Sequence, residues 1–183
     1  LRSALMIAGA ATPFFAVYVQ QQLGGSLGMI GLYLATYTLS NLSANILIGR
    51  FSARLGNRRT MTLAVWAGVS MTGLVLLLTL LAGPLRLGGW AASLWLLPVF
   101  AVSGIRESGI GVAGQSLLLD IAPRDERSLT LGFTNTFLGV VMFLSGLSGV
   151  VVARFGFLAL LLITAAAHLF ALNSAFRMKG THH

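Results

Sequence analysis

Cysteine is absent from this chain of 183 residues, and only four residues are acidic. The absence of cysteine excludes a disulfide framework, a thiolate metal site and a cysteine nucleophile. Charged residues make up 9% of the chain, whereas a soluble domain carries roughly a quarter. Such a chain could not cover a water-facing surface, and its composition also excludes a disordered segment, a coiled coil or collagen. Because hydrophobic residues make up 56%, the expected solvent is a lipid bilayer.

Further absences narrow the function. The sequence contains no phosphate-binding loop and no cluster of residues with metal-ligand spacing. We therefore expect no metal, no cofactor and no enzymatic activity. The net charge of +8 does not indicate nucleic acid as a partner, because the basic residues lie in short connectors between apolar runs.

Six apolar runs are long enough to cross a membrane, which takes about 20 residues in a helix. They lie at residues 4–23, 27–49, 60–82, 90–119, 129–152 and 156–176. Pro13 lies inside the first run and should kink it. Since lipid offers no hydrogen-bond partner to a free backbone group, the runs are expected to be helices. The predicted fold class is an all-α polytopic membrane protein, with one six-helix domain over residues 1–176.

The positive charges are distributed unequally between the two sides of the predicted helices. Nine of the twelve basic residues fall on the side of both termini and of the second and fourth connectors. Arg86 and Arg154 fall on the other side, and Arg106 lies inside a span. The positive-inside rule therefore predicts that both termini are cytoplasmic. The tail at 177–183 is expected to be cytoplasmic, and its final histidine pair to be a tag remnant on a piece of a longer protein.

A short internal echo suggests a repeat. The sequence Ala-Arg-Leu-Gly at 53–56 follows the second span, and Ala-Arg-Phe-Gly at 153–156 follows the fifth. Three helices separate the two copies, so the first copy is expected inside and the second outside. This spacing indicates an inverted repeat of three plus three helices.

The connector between spans two and three combines four arginines with a glycine near each end. Glycine permits a tight turn and close helix approach, while arginines anchor the cytoplasmic side. The segment resembles the signature loop of the major facilitator superfamily, Gly-x-Leu-Ala-Asp-Arg-x-Gly-Arg-Arg. The matching residues are Gly49, Arg54, Gly56, Arg58 and Arg59. Ala53 stands where the family usually has Asp. Because the C-terminal copy of this loop is typically degraded, the resemblance is strongest to spans seven to twelve of a twelve-span transporter.

A second match lies at the connector between spans four and five. Asp120 precedes Arg127 by seven positions, which is similar to the Glu-x6-Arg element of facilitator sugar porters. In that family these groups and the loop arginines form a cytoplasmic gating network. We expect Asp120 to be the main acceptor for Arg54 or Arg58, because arginine and carboxylate match in bidentate geometry.

Polar residues inside the spans are candidates for the path of substrate or protons. Arg106 and Glu107 lie near the middle of span four, where a charge costs about 2.5–3.5 kcal/mol and usually faces a cavity. As neighbours they point about 100° apart, so we expect each to find its partner elsewhere. Glu107 is the one acid well inside a span and could carry a proton. The other candidates are Tyr33, Tyr37, Asn41, Asn45, Gln115 and Asn135.

The resemblance implies a secondary transporter that moves a small solute across the bacterial inner membrane by alternating access, with proton coupling as one option. Its expected partners are the bilayer, a small-molecule substrate, protons, and either an N-terminal half or a second copy of the chain. Two alternatives stay open at this point. One is a stand-alone six-helix protein that dimerises as a transporter or scaffold. The other is a rhomboid-like serine protease that would use Ser103 and His168.

Overall fold

The computed structural model describes residues 1–177, apart from the side chains at 55, 124, 144 and 145. Within that part of the chain every regular element is helical. The α-helices are α1 (Arg2–Gly9), α2 (Thr12–Gln22), α3 (Met29–Leu55), α4 (Asn57–Ala82), α5 (Gly89–Ile121), α6 (Arg127–Ser145) and α7 (Ser148–Arg177). A 3-10 turn at Arg124–Glu126 precedes α6. The tail beyond Arg177, including Lys179, lies outside the described residues.

The first predicted span consists of two helices, α1 and α2, which are separated at Ala10 and Ala11. Pro13 lies in the first turn of α2. A proline is tolerated there because the amide hydrogen it lacks would have no partner within the helix. The helical hydrogen bonding is therefore interrupted just before the proline, where the sequence predicts a kink, while Ala10 and Ala11 keep helical backbone angles.

The helix bounds differ from the predicted fifth span, which ran without interruption over 129–152. Helix α6 ends at Ser145 and α7 begins at Ser148, with the Gly146 amide donating to the Phe143 carbonyl at 3.0 Å. The segment 145–149 is rich in serine and glycine, which are poor helix formers. Hydropathy alone does not detect this break, because the residues on both sides are apolar.

The two Ala-Arg-x-Gly copies have the same backbone shape. Gly56 separates α3 from α4 with a φ of 83° and a ψ of 154°. Gly156 interrupts α7 with a φ of 81° and a ψ of 171°. Both conformations are nearly exclusive to glycine. The matching breaks support the inverted repeat that the sequence indicates.

Helix packing follows the same symmetry. Helix α5 packs mainly against α3 and α4, while its repeat counterpart α1 packs against α6 and α7. Helices α4 and α7, which the repeat exchanges, contact each other. The two apolar clusters both lie around α5, one shared with α2, α3, α4 and α7 and the other with α1, α4 and α7.

Four helical segments of the described chain are long and apolar enough to cross a membrane, namely Arg2–Gln22, Asn57–Ala82, Gly89–Ile121 and Ser148–Arg177. Helix α3 is not among them because tyrosine, serine and asparagine recur along it, and α6 is not among them either. Both helices nevertheless expose large apolar side chains, such as Leu39, Ile46 and Phe143. This outer surface suits lipid, so the six-span arrangement stays the expected one.

Candidate functional site

An open cleft of about 890 Å³ runs along one face of the bundle. Its described lining comes from α1, α2, α3, α5 and α6 with the turn that follows it, and includes no residue of α4 or α7. The first, second, fourth and fifth spans thus form the cleft, while the third and sixth support it from behind. The lining is mostly apolar, and its polar side chains are Arg2, Thr12, Gln20, Tyr33, Tyr37, Ser103, Arg106 and Glu107.

The two predicted tyrosines of α3 lie on the cleft but present different groups to it. The Tyr33 hydroxyl donates to the Ser93 carbonyl of α5 at 3.0 Å, and its ring stacks on Phe100 with centroids 5.0 Å apart. Tyr33 therefore contributes an aromatic face. Tyr37 is only partly buried and lies beside the polar part of the cleft.

Arg106 and Glu107 form the charged centre of the cleft. The arginine is 2% exposed, whereas the Glu107 side chain is 51% exposed on the cleft side. Arg106 Nη2 donates to the Leu5 carbonyl on α1. As predicted, the arginine thus finds a partner on another helix. The carboxylate is the group that a ligand in the cleft can reach.

The expectation that these neighbours do not pair is wrong. Arg106 Nη1 lies 3.3 Å from Glu107 Oε2. The Cβ directions of adjacent helical residues do diverge, but the guanidinium is at the end of a long side chain and has donors on several edges. One edge meets Leu5 while another bends back to the carboxylate, so both charges are compensated.

Two predicted residues of α3 connect helices instead of lining the cleft. Asn41 Nδ2 donates to the Gly104 carbonyl of α5 at 3.1 Å, and Asn45 Nδ2 donates to Asn41 Oδ1 at 3.1 Å. Ser108 Oγ on α5 donates to Asn45 Oδ1 at 2.8 Å. Each four-residue step along an α-helix rotates the side chain by about 40°. The stripe that begins at Tyr33 on the cleft therefore turns towards α5 before it reaches Asn45.

The remaining candidates within the spans lie away from the cleft. Gln115 and Asn135 are exposed and are not part of the cleft lining. Gln115 is about 12 Å further along α5 than Glu107. Sequence reasoning did not select Phe14 and Gln20 of α2, although both line the cleft. A glutamine within an apolar run and an aromatic next to Pro13 were the available signals.

The protease alternative lacks its required contact. Ser103 lines the cleft, whereas His168 is buried with its Nδ1 2.9 Å from Thr72 Oγ1. A serine nucleophile needs a base within hydrogen-bond reach. The described residues place the histidine's hydrogen bond on α4 instead.

A family model described as Major Facilitator Superfamily matches residues 3–181. The chain belongs to the major facilitator superfamily. No curated protein and no solved structure matches it significantly. It is therefore a multi-pass membrane transporter of that superfamily, with the lipid bilayer and a small-molecule substrate as its partners.

The facilitator signature loop is the α3–α4 connection, and its two glycines are not equivalent. Gly56 alone separates the helices, and its positive φ requires glycine. Gly49 lies inside α3, where an added Cβ would meet nothing within 4 Å of the described chain. The tight turn that the sequence predicts thus belongs to Gly56, and the close helix approach expected at Gly49 is not seen.

The hydrogen bonds of this facilitator loop correct the predicted partner of Asp120. Asp120 Oδ2 accepts a hydrogen bond from Asn57 Nδ2 at 3.0 Å. Arg58 Nη2 donates instead to the Phe176 carbonyl at 3.4 Å, and Arg54 forms no ion pair with Asp120 in the described chain. Asn57 is the first residue of α4, and its short side chain reaches Asp120 at the end of α5 directly. An exposed ion pair between arginine and Asp120 would add under about 1 kcal/mol. This is too little to displace the hydrogen bond from Asn57.

The last two predicted gating residues are exposed at the same end of the bundle. Arg59 lies in the first turn of α4, and Arg127 is the first residue of α6. Neither makes an ion pair within the part of the chain that is described. Their part in a gating network stays a prediction.

Proposed function

We propose that this chain is one half of a secondary active transporter, which moves a small solute across the bacterial inner membrane by alternating access and couples this to protons. The observation that carries the proposal is the half-exposed Glu107 carboxylate, which lies on the cleft and is paired with the buried Arg106. The signature loop and the cleft built from spans one, two, four and five agree with it.

The chemistry follows from the charge balance of this pair. With Glu107 ionised, Arg106 and the carboxylate compensate each other inside span four, where an uncompensated charge would be costly. A proton on Glu107 removes the negative charge and weakens its hold on the guanidinium. Protonation thus changes the free-energy difference between the open and closed states of the cleft. A coupled ligand must supply such a difference to drive the transition.

The open side of the cleft also supports a second six-helix unit that covers it. It is open along its length, and polar side chains such as Tyr37 and Glu107 would otherwise face lipid. We propose that an N-terminal half or a second copy of the chain closes it, with both termini and the signature loop in the cytoplasm. In the twelve-span arrangement this chain supplies spans seven to twelve.

Cysteine accessibility tests this function without a known substrate. In a cysteine-free background of the full transporter, Met6→Cys and Gln20→Cys place one thiol in α1 and one in α2, both on the cleft. Alternating access predicts that lowering the pH changes their rates of reaction with a membrane-impermeant maleimide in opposite directions, once each rate is divided by that of an exposed control thiol outside the cleft. Glu107→Gln removes the carboxylate, so both rates should then follow only the ordinary pH dependence of the thiol.

Ser128→Cys serves as the control, because it is exposed at the start of α6 and lies outside the cleft. Its rate should follow only the ordinary pH dependence of the thiol. Rates at Met6→Cys and Gln20→Cys that rise and fall together after division by the control rate would contradict alternating access. A pH response beyond that of the control that survives Glu107→Gln would contradict the assigned coupling residue.

A further inference from the structure

A group of buried polar side chains lies behind the cleft, where α1, α4, α5 and α7 meet. Arg106 on α5, Thr72 on α4 and His168 on α7 are all almost inaccessible, and His168 is 1% exposed. Helices α4 and α7 contribute nothing to the described cleft lining. The buried Thr72 and His168 side chains are therefore not explained by substrate contact.

Two glycines form a slot for the arginine side chain. A Cβ on Gly9 of α1 would lie 3.1 Å from Arg106 Nη2 and 3.2 Å from Nη1. A Cβ on Gly68 of α4 would lie 3.3 Å from Arg106 Cδ and would overlap His168 Nε2. The arginine and the imidazole thus pack against the same glycine, on the side of Arg106 away from the cleft.

The hydrogen bonds of this group leave one donor and one acceptor. Arg106 uses its two Nη atoms on Leu5 and Glu107, and its Nε has no partner. His168 Nδ1 pairs with Thr72 Oγ1 at 2.9 Å, and its Nε2 has no partner. With Nδ1–H donating to Thr72, Nε2 of the neutral ring is an acceptor. Buried polar atoms are rarely left without a hydrogen bond, and these two are chemically complementary.

These two atoms do not bond each other in this structure. We propose that His168 is a positioning residue for Arg106, and that a small movement of either side chain lets Nε2 accept a hydrogen bond from the Arg106 Nε–H. This inference rests on the proposed function of the Arg106–Glu107 pair. In that arrangement Thr72 orients the His168 ring, and the ring orients Arg106 Nε. The guanidinium then holds Glu107 and the Leu5 carbonyl at the same time. Leu5 lies about one turn before the end of α1, ahead of the break in span one. The supporting helices α4 and α7 in this way connect the charge of Glu107 to that break.

The experiment uses the purified full transporter labelled with ¹⁵N-arginine. The Nε–H signal of Arg106 is assigned by its disappearance in Arg106→Lys. His168→Leu, which removes the acceptor, should speed hydrogen exchange of this group by about tenfold, as expected for loss of a buried hydrogen bond to a charged group. His168→Gln offers an amide oxygen and should restore most of the protection.

Thr164→Val is the matched control on the same helix. Thr164 is buried, and its hydroxyl donates to the Leu160 carbonyl of its own helix. This variant loses a buried hydroxyl without touching Arg106, so its Nε–H exchange should match the wild type. A merely structural role for His168 predicts that Thr164→Val and His168→Leu behave alike.

An unchanged Arg106 Nε–H signal in folded His168→Leu would overturn the proposal. If that variant does not fold, Thr72→Val provides the second test, because it frees the ring and should also speed the exchange. The cysteine assay separates the two proposals. If His168→Leu shifts the Arg106 signal while Glu107→Gln leaves the pH response of Met6→Cys intact, positioning by His168 stands and the proton-coupling role of Glu107 is wrong.

Discussion

At the scale of single residues, one helix uses glycine in two ways that composition cannot distinguish. Gly68 and Gly73 both lie in α4. Gly68 faces the His168 ring and the Arg106 stem, whereas an added Cβ on Gly73 meets nothing within 4 Å of the described chain. The first glycine makes room for a buried charge, and the second has no comparable neighbour.

Alanine substitution should therefore have opposite effects at these two positions. Gly68→Ala forces the imidazole or the guanidinium to move and should destabilise the fold by about 1–3 kcal/mol. Gly73→Ala should be neutral, or stabilise by up to about 1 kcal/mol through helix propensity. Thermal unfolding of the purified protein in detergent measures the difference. Equal shifts of the two variants would mean that the slot is not required.

At the scale of helices, the shape of the chain is set by a few breaks within long apolar runs. The break before Pro13 follows from the missing proline amide hydrogen, and those at Gly56 and Gly156 follow from a backbone that only glycine adopts readily. The break near Gly146 has no such local marker beyond small residues. Breaks that a proline or a glycine imposes could thus be predicted from the sequence, whereas the break near Gly146 could not.

The two Ala-Arg-x-Gly glycines should respond alike to substitution. Gly56→Ala and Gly156→Ala each place a Cβ on a backbone with φ above 80°, which should cost about 1–3 kcal/mol. Gly49→Ala, inside helix α3 of the same signature loop, should cost nothing because its surroundings are open. Unfolding by SDS in mixed micelles can rank the three variants. A tolerant Gly156→Ala beside a costly Gly56→Ala would contradict the structural equivalence of the repeats.

At the scale of the whole molecule, the distribution of arginines determines the expected orientation. Large apolar side chains on α3, α6 and α7 face outwards, while the signature loop and the start of α6 lie at the end of the bundle that carries most of the positive charge. The connector between α2 and α3 lies at the other end. Short basic connectors stay in the cytoplasm, which makes the orientation testable at either end.

The absence of cysteine in this chain allows that test with single thiols. Ser26→Cys in the α2–α3 connector should react with an impermeant maleimide added to intact cells. Ser128→Cys at the start of α6 should react only after the membrane is permeabilised. Labelling of the wild-type chain gives the background. Labelling of Ser128→Cys in intact cells, with Ser26→Cys reacting only after permeabilisation, would contradict the proposed topology.

The sequence by itself determined the membrane class, the helical fold, the family and the tight turn at Gly56, because hydropathy, glycine and the signature loop act locally along the chain. It also identified Arg106 and Glu107 as exceptional, since charge inside a span is costly wherever it lies. Only the tertiary structure decided what these groups contact. Asn45 bonds Ser108 of α5 instead of lining the cleft, and Asn57 is the partner of Asp120 where an arginine was expected. His168 and Arg106 both pack against Gly68. Such partners depend on how separate helices rotate and pack against each other, and no spacing within a single helix contains that information.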